Sequence, residues 1–321
     1  MKMRVHGKDI KIFSCNSNEE VARNIASGIG LQLSKCKIST FSDGEISVSV
    51  TESVRGSDTF IVQSTSAPVN DNIMELALMC DACKRSSAAR ITAVMPYFGY
   101  ARQDRQARGR DPISAKVVAD LITHAGADRI LTMDLHAPQI QGFFSVPVDH
   151  LLGVPILTPY FANKFKDNMD DLVVVSPDFG SVTRARNFAQ RFNAPIAIID
   201  KRRPKANVCE VMNIIGDVKD KTVIIVDDMI DTAGTLCNAA KAVIEIGGAK
   251  QVFACATHGV LSGPAIERLE QSVITEVVIL DTIYQPPEKR IEKMKILPVA
   301  PVFAEAIDRI YEDKPISTLF V

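Results

Sequence analysis

The chain has 321 residues, 46% of them apolar, with 37 basic and 38 acidic side chains and a net charge of -1. That length exceeds one ordinary core and suits two α/β domains of roughly 150 residues each. A near-neutral balance favours neither a nucleic-acid nor a membrane-surface partner. Seven cysteines, odd in number and irregular in spacing, read as reduced cytosolic thiols. Cys80 and Cys83 have CxxC spacing without a second pair, and core packing is their better reading. The N-terminal MKMRVHGKDIKIF lacks the apolar core of a signal peptide, and no apolar run reaches the ~18 residues of a membrane span. The expectation is a soluble, cytoplasmic protein.

Runs rich in branched aliphatics recur at 60–63, 91–95, 130–133, 172–176, 195–199, 222–226, 252–256 and 277–280, each followed by turn residues and helical periodicity. Apolar throughout, they suit strands covered on both faces in a parallel sheet, and their alternation with helices predicts an α/β architecture. FIVQS (60–64), a helix over 71–85 and the strand 91–99 match VIIVDD (223–228), a helix over 235–246 and VFACATHG (252–259). DRILTMDLH (128–136) and TEVVILDTI (275–283) correspond likewise. The pattern predicts a duplicated domain, 1–150 and 151–321, with its boundary near 151–159 and a last stretch that can pack back on the first domain. Where the second half has Asp227 and Asp228, the first has Gln63 and Ser64.

The strongest chemical signal is VIIVDDMIDTAGT, 223–235. A buried strand delivers two carboxylates to its C-terminal end, the edge where open α/β sheets bind ligands. The turn of Asp231, Thr232, Ala233, Gly234 and Thr235 then enters a helix, where backbone N–H groups can close around a phosphate. Carboxylates beside a phosphate cradle make sense if they hold vicinal hydroxyls or a hard cation. Helix capping by Asp231 and solvated acids is the bland alternative.

This segment resembles the phosphoribosyl-diphosphate binding motif of type I phosphoribosyltransferases and ribose-phosphate diphosphokinases. FSDGE (41–45), PYFGYARQDR (96–105), PISAKVVADL (112–121), DLHAPQIQGFF (134–144), VVVSPDFGSVTRAR (173–186) and DKRRPKANVCEV (200–211) resemble the diphosphokinase family, in its phosphate-regulated bacterial class. The resemblance implies two phosphoribosyltransferase-like domains, each a mostly parallel sheet flanked by helices. It implies transfer of a diphosphoryl group from Mg-ATP to the C1 hydroxyl of ribose 5-phosphate, giving phosphoribosyl diphosphate and AMP. A plain phosphoribosyltransferase and a non-catalytic regulatory homologue are the alternatives.

For ATP the resemblance implies Phe41, Asp43, Gly44, Glu45, Arg102, Gln103 and His136. Phe41 can stack on a purine, and the acids can accept from its amine or from ribose hydroxyls; an ordinary surface turn is the alternative. Asp134 and His136 lie two apart, on one side of an extended end. His136 and Asp178 are the implied magnesium residues, and Asp178 is the better candidate because this cation prefers oxygen ligands. Ribose 5-phosphate falls to Arg203, Asp227, Asp228, Asp231, Thr232, Ala233, Gly234 and Thr235. Lys201 and Arg203, in a basic segment that otherwise reads as a solvated loop, are the implied catalytic cations.

A homo-oligomer, in this family a hexamer, and control by phosphate and ADP at Ser53, Arg55, Arg110 and Ser317 also follow from the resemblance. Three features depart from the family pattern. Ser181 stands where SPDxGG has its second glycine, the loop 107–112 is one residue short, and Pro315 replaces a serine, so weaker ADP control is expected.

Overall fold

The structure, a computed structural model, describes residues 7–202 and 211–320. The chain begins with β1 (Ile10–Ser14), α1 (Glu19–Gly28) and a hairpin of β2 (Cys36–Thr40) and β3 (Ile46–Val50). Then follow β4 (Asp58–Val62), α2 (Val69–Arg85), β5 (Arg90–Met95), α3 (Ser114–Ala125), β6 (Arg129–Met133), β7 (Val148–Leu151) and α4 (Val154–Lys164). After these come β8 (Leu172–Ser176), α5 (Val182–Gln190), β9 (Ile196–Arg202), β10 (Val211–Ile215), β11 (Thr222–Ile230) and α6 (Gly234–Glu245). The rest is β12 (Gln251–Gly259), α7 (Ala265–Gln271), β13 (Glu276–Leu280), β14 (Met294–Leu297) and α8 (Ala300–Tyr311).

β4 and β8 are buried at every residue, as parallel strands covered on both faces must be. The order β1-β4-β5-β6-β7 is parallel throughout. In β10-β9-β8-β11-β12-β13-β14 only the β10–β9 pair is antiparallel. Each half therefore repeats one plan, with a hairpin inserted between the first and second core strands. β2 and β3 stay a separate ribbon, whereas β9 and β10 extend their sheet.

Strand register fixes the correspondence between the halves. Val62 pairs with Val94 as Val226 pairs with Cys255, so Gln63 and Ser64 occupy the positions of Asp227 and Asp228. In the first half that place is given to internal polar packing. Buried Gln63 donates to Glu75 Oε2 at 2.8 Å, and Glu75 Oε1 also takes Asn16 Nδ2 at 2.7 Å.

The chain forms two compact units. One holds residues up to Leu152, Thr282–Tyr284 and the stretch from Pro298 onward; the other holds Gly153–Asp281 and Gln285–Leu297. α8, near the end of the second half, thus belongs to the first unit. α8 packs on α1, close enough that a Cβ on Gly28 would lie 2.8 Å from Ala304 Cβ. Near the other end of α8, Arg90 donates to buried Asp58 at 2.6 Å and to the Ile310 carbonyl at 3.0 Å.

α2 buries Ile73, Leu76, Cys80 and Cys83 at helical spacing, and burial pushes the Cys83 thiol up to about 12. These cysteines are core residues. The strand expected over 91–99 stops at Met95, because Pro96 has no N–H to continue a ladder. Asp134 takes a left-handed φ of 37°, which ends β6 and turns the chain. Asp134 is buried and His136 exposed, so the two do not share one side of an extended end. No helix among the described residues is long and apolar enough to cross a membrane.

Candidate active site

In the second unit, the carboxyl ends of neighbouring strands β8 and β11 bring the acidic residues together. Leaving β8, the chain turns through Asp178, whose Oδ1 accepts from Ser181 N at 2.9 Å. Ser181 Oγ in turn donates to Asp227 Oδ1 at 2.9 Å, and the same oxygen accepts from Asp228 N at 2.9 Å. One turn along α5, Arg184 Nη1 lies 3.4 Å from Asp228 Oδ1 and 3.9 Å from Asp227 Oδ1.

One guanidinium against two adjacent carboxylates leaves the cluster electron-rich. Burial above all, then the charge of Asp228, pushes Asp227 up to about 7, while the Ser181 hydroxyl and Arg184 pull the other way. A cation or hydroxyl donors arriving here would relieve that penalty. The donor set suits magnesium, which keeps waters and takes one or two carboxylates together with substrate phosphates. Among the described residues no cluster of three or more His, Cys, Asp or Glu forms a dedicated cage.

β11 runs on to Ile230 beside β12 and leads into the loop before α6. Ala233 sits at the cap of α6 with φ 59°, a left-handed conformation that costs a non-glycine residue ~1–2 kcal/mol. A helix that starts here leaves the N–H groups of its first turn without intrahelical partners, an arrangement that receives anions. The loop is held from outside. Asp231 accepts from Ser262 Oγ, its carbonyl accepts from Ser262 N at 3.1 Å, and Arg268 donates to the Thr232 carbonyl at 3.0 Å. A Cβ on Gly234 would stand 3.1 Å from the Arg268 guanidinium, so the glycine keeps room for that brace.

In the first unit, Phe41, Asp43, Gly44 and Glu45 form the tip of the β2–β3 hairpin. Phe41 N donates to the Glu45 carbonyl at 2.7 Å, Glu45 N to Asp43 Oδ1 at 3.1 Å, and Gly44 takes φ 94°. Phe41 is 57% exposed, unusual for a large apolar side chain. Arg102 and Gln103 are exposed in the turn after β5. Gln103 Oε1 accepts from Ser114 Oγ at 2.6 Å, tying that amide to the start of α3. Exposed His136 follows the neighbouring strand β6, and Gln139 donates to Asp104 at 3.3 Å between the two loops.

Lys201 lies in β9 opposite Met212, and Arg203 falls outside the described residues. Ser53, Arg55, Arg110 and Ser317 are all exposed, and Arg110 takes φ 77°. Among the described residues no hydrogen bond or ion pair joins any two of these four.

Three participants were not picked out from sequence. Arg184 sits on α5 and Arg268 on α7, and Ser262 lies 31 residues from Asp231. Only Ser181 carried a signal, as a departure from SPDxGG.

Residues 10–126 match a family model described as the N-terminal domain of ribose phosphate pyrophosphokinase. Residues 201–321 match one described as a phosphoribosyl synthetase-associated domain. The chain is 64% identical over 318 residues to a ribose-phosphate pyrophosphokinase of Clostridium perfringens, covering 99% of each. It is 58% identical over 313 residues to that of Bacillus subtilis, covering 98% of each. The crystal structure of phosphoribosylpyrophosphate synthetase from Mycobacterium smegmatis superposes with a TM-score of 0.90 at 44% identity, covering 95% of this chain and 100% of that one.

Proposed function

Because the chain belongs to the ribose-phosphate pyrophosphokinase family, and so is an enzyme of the transferase class, we propose that it moves the β,γ-diphosphoryl group of ATP to the C1 hydroxyl of ribose 5-phosphate. The observation that carries this reading is one sheet edge bearing both an acid pair, Asp227 and Asp228, and an anion-receiving turn before α6. In this reading the turn holds the 5-phosphate, and the carboxylates accept from the ribose hydroxyls. Phe41, Asp43, Gly44, Glu45, Arg102, Gln103 and His136 bind ATP.

The C1 oxygen forms a bond to the β-phosphorus, and the bond from that phosphorus to the oxygen bridging the α-phosphorus breaks. AMP leaves with that oxygen, and the hydroxyl proton passes to solvent. Lys201 and Arg203 offset the charge that builds on the phosphoryl oxygens. Asp178 and His136 are the residues that would hold magnesium, which when bound would offset phosphate charge on ATP. Positioning carries much of the rate.

The finer family traits are proposals too: a cytoplasmic homo-hexamer for nucleotide biosynthesis, answering to phosphate and ADP through Ser53, Arg55, Arg110 and Ser317. The division of labour between 1–150 and 151–321 has a direct test. Calorimetric titration of Asp227→Ala should show ribose 5-phosphate binding weakened at least about tenfold, the scale of lost hydrogen bonds to a charged group, with ATP binding within about twofold of wild type. Equal loss of both affinities would count against the two-site partition.

A further inference from the structure

We propose that Ser181 is a positioning residue for the sugar phosphate, fixing the carboxylate of Asp227 through a hydroxyl withheld from its own helix. The proposal rests on the functional reading above. Ser181 is the cap residue of α5, a position where serine ordinarily accepts a hydrogen bond from the first helical turn. No such bond forms here. The hydroxyl donates instead to Asp227 Oδ1 at 2.9 Å, while the Ser181 amide donates to Asp178 Oδ1 at 2.9 Å. One residue therefore links the acids at the ends of two neighbouring strands.

Its φ of -92° is ordinary for any L-residue, so no glycine is required by the backbone, and at 7% exposure the side chain has little freedom to turn away. Asp227 Oδ1 is thereby loaded with two internal donors, Ser181 Oγ and Asp228 N. A carboxylate pinned through one oxygen presents the other in a set direction, which is what recognition of a ribose hydroxyl needs. Arg184, on the same face one turn later, adds charge to the arrangement but bonds neither acid as closely.

The test compares Ser181→Ala, Ser181→Gly and Ser181→Thr with the wild type, in steady-state kinetics with each substrate varied. Ala and Gly should each raise the KM for ribose 5-phosphate roughly fivefold to tenfold, the upper part of the range for an ordinary hydrogen bond. KM for ATP should stay within about twofold, and Thr, which keeps the hydroxyl, should restore the sugar KM. Unchanged sugar KM in Ala and Gly, an equal rise in both KM values, or a Thr variant as weak as Ala would each overturn the proposal. Thermal melts of the three variants identify any that fails to fold; Gly and Ala cover one another in that event. Calorimetry with ribose 5-phosphate alone reads the same contrast without turnover. A wild type that binds the sugar but makes no AMP would therefore strike the functional reading and leave Ser181 to be decided by titration.

Discussion

Asp227 carries a cost that its position imposes. Its carboxyl is pushed up to about 7 by burial first and by Asp228 second, so ionising it in the folded chain is harder than in the unfolded chain. The sign follows from linkage. Its contribution to stability is fully present below the unfolded value of ~3.9 and is lost as pH rises through the folded value. Asp227→Asn removes that loss and keeps an acceptor for Ser181 Oγ and Asp228 N. The variant should melt above the wild type at pH 8, by a few degrees at about 2–4 °C per kcal/mol, and the gap should narrow at pH 5.5. A thermal melt series across that range checks it; a gap that widens toward acid would reverse the assignment. Such a gain in stability with a loss of ribose 5-phosphate use is the trade expected of a strained site residue.

At the scale of elements, the helices are placed by small contacts as much as by apolar faces. Gly28 ends α1 against α8, and a Cβ there would lie 2.8 Å from Ala304 Cβ. Gly28→Ala should therefore cost about 1–3 kcal/mol through overpacking, although alanine is the better helix former. Ala304→Gly in the same chain should return part of the loss, and additive losses in the double mutant would mean the helices do not meet there. Such contacts explain what could be read in advance and what could not. Fully buried runs such as 172–176 announce themselves as central strands, because both faces demand apolar residues. β2 and β3 were not singled out: CKIST and ISVSV mix polar residues into half-buried ribbons. Nor does an alanine signal a left-handed cap, so Ala233 was legible as part of a small-residue turn but not as its pivot.

Across the whole molecule, the duplicated plan was legible because each half repeats its order of strands and helices, and register places Gln63 and Ser64 at the positions of Asp227 and Asp228. The place of α8 in the first unit depends on contacts far apart in the chain, which no local pattern announces. Within the site, the acid pair and turn were readable from one contiguous motif. The Ser181–Asp227 bond, spanning 46 positions, was not. The most direct test of the central claim is product analysis by chromatography after incubating the purified chain with ATP, ribose 5-phosphate and magnesium. AMP should appear in equal amount to a sugar carrying both the β- and γ-phosphates of ATP; ADP as the stoichiometric product, the mark of single γ-phosphoryl transfer, would contradict it.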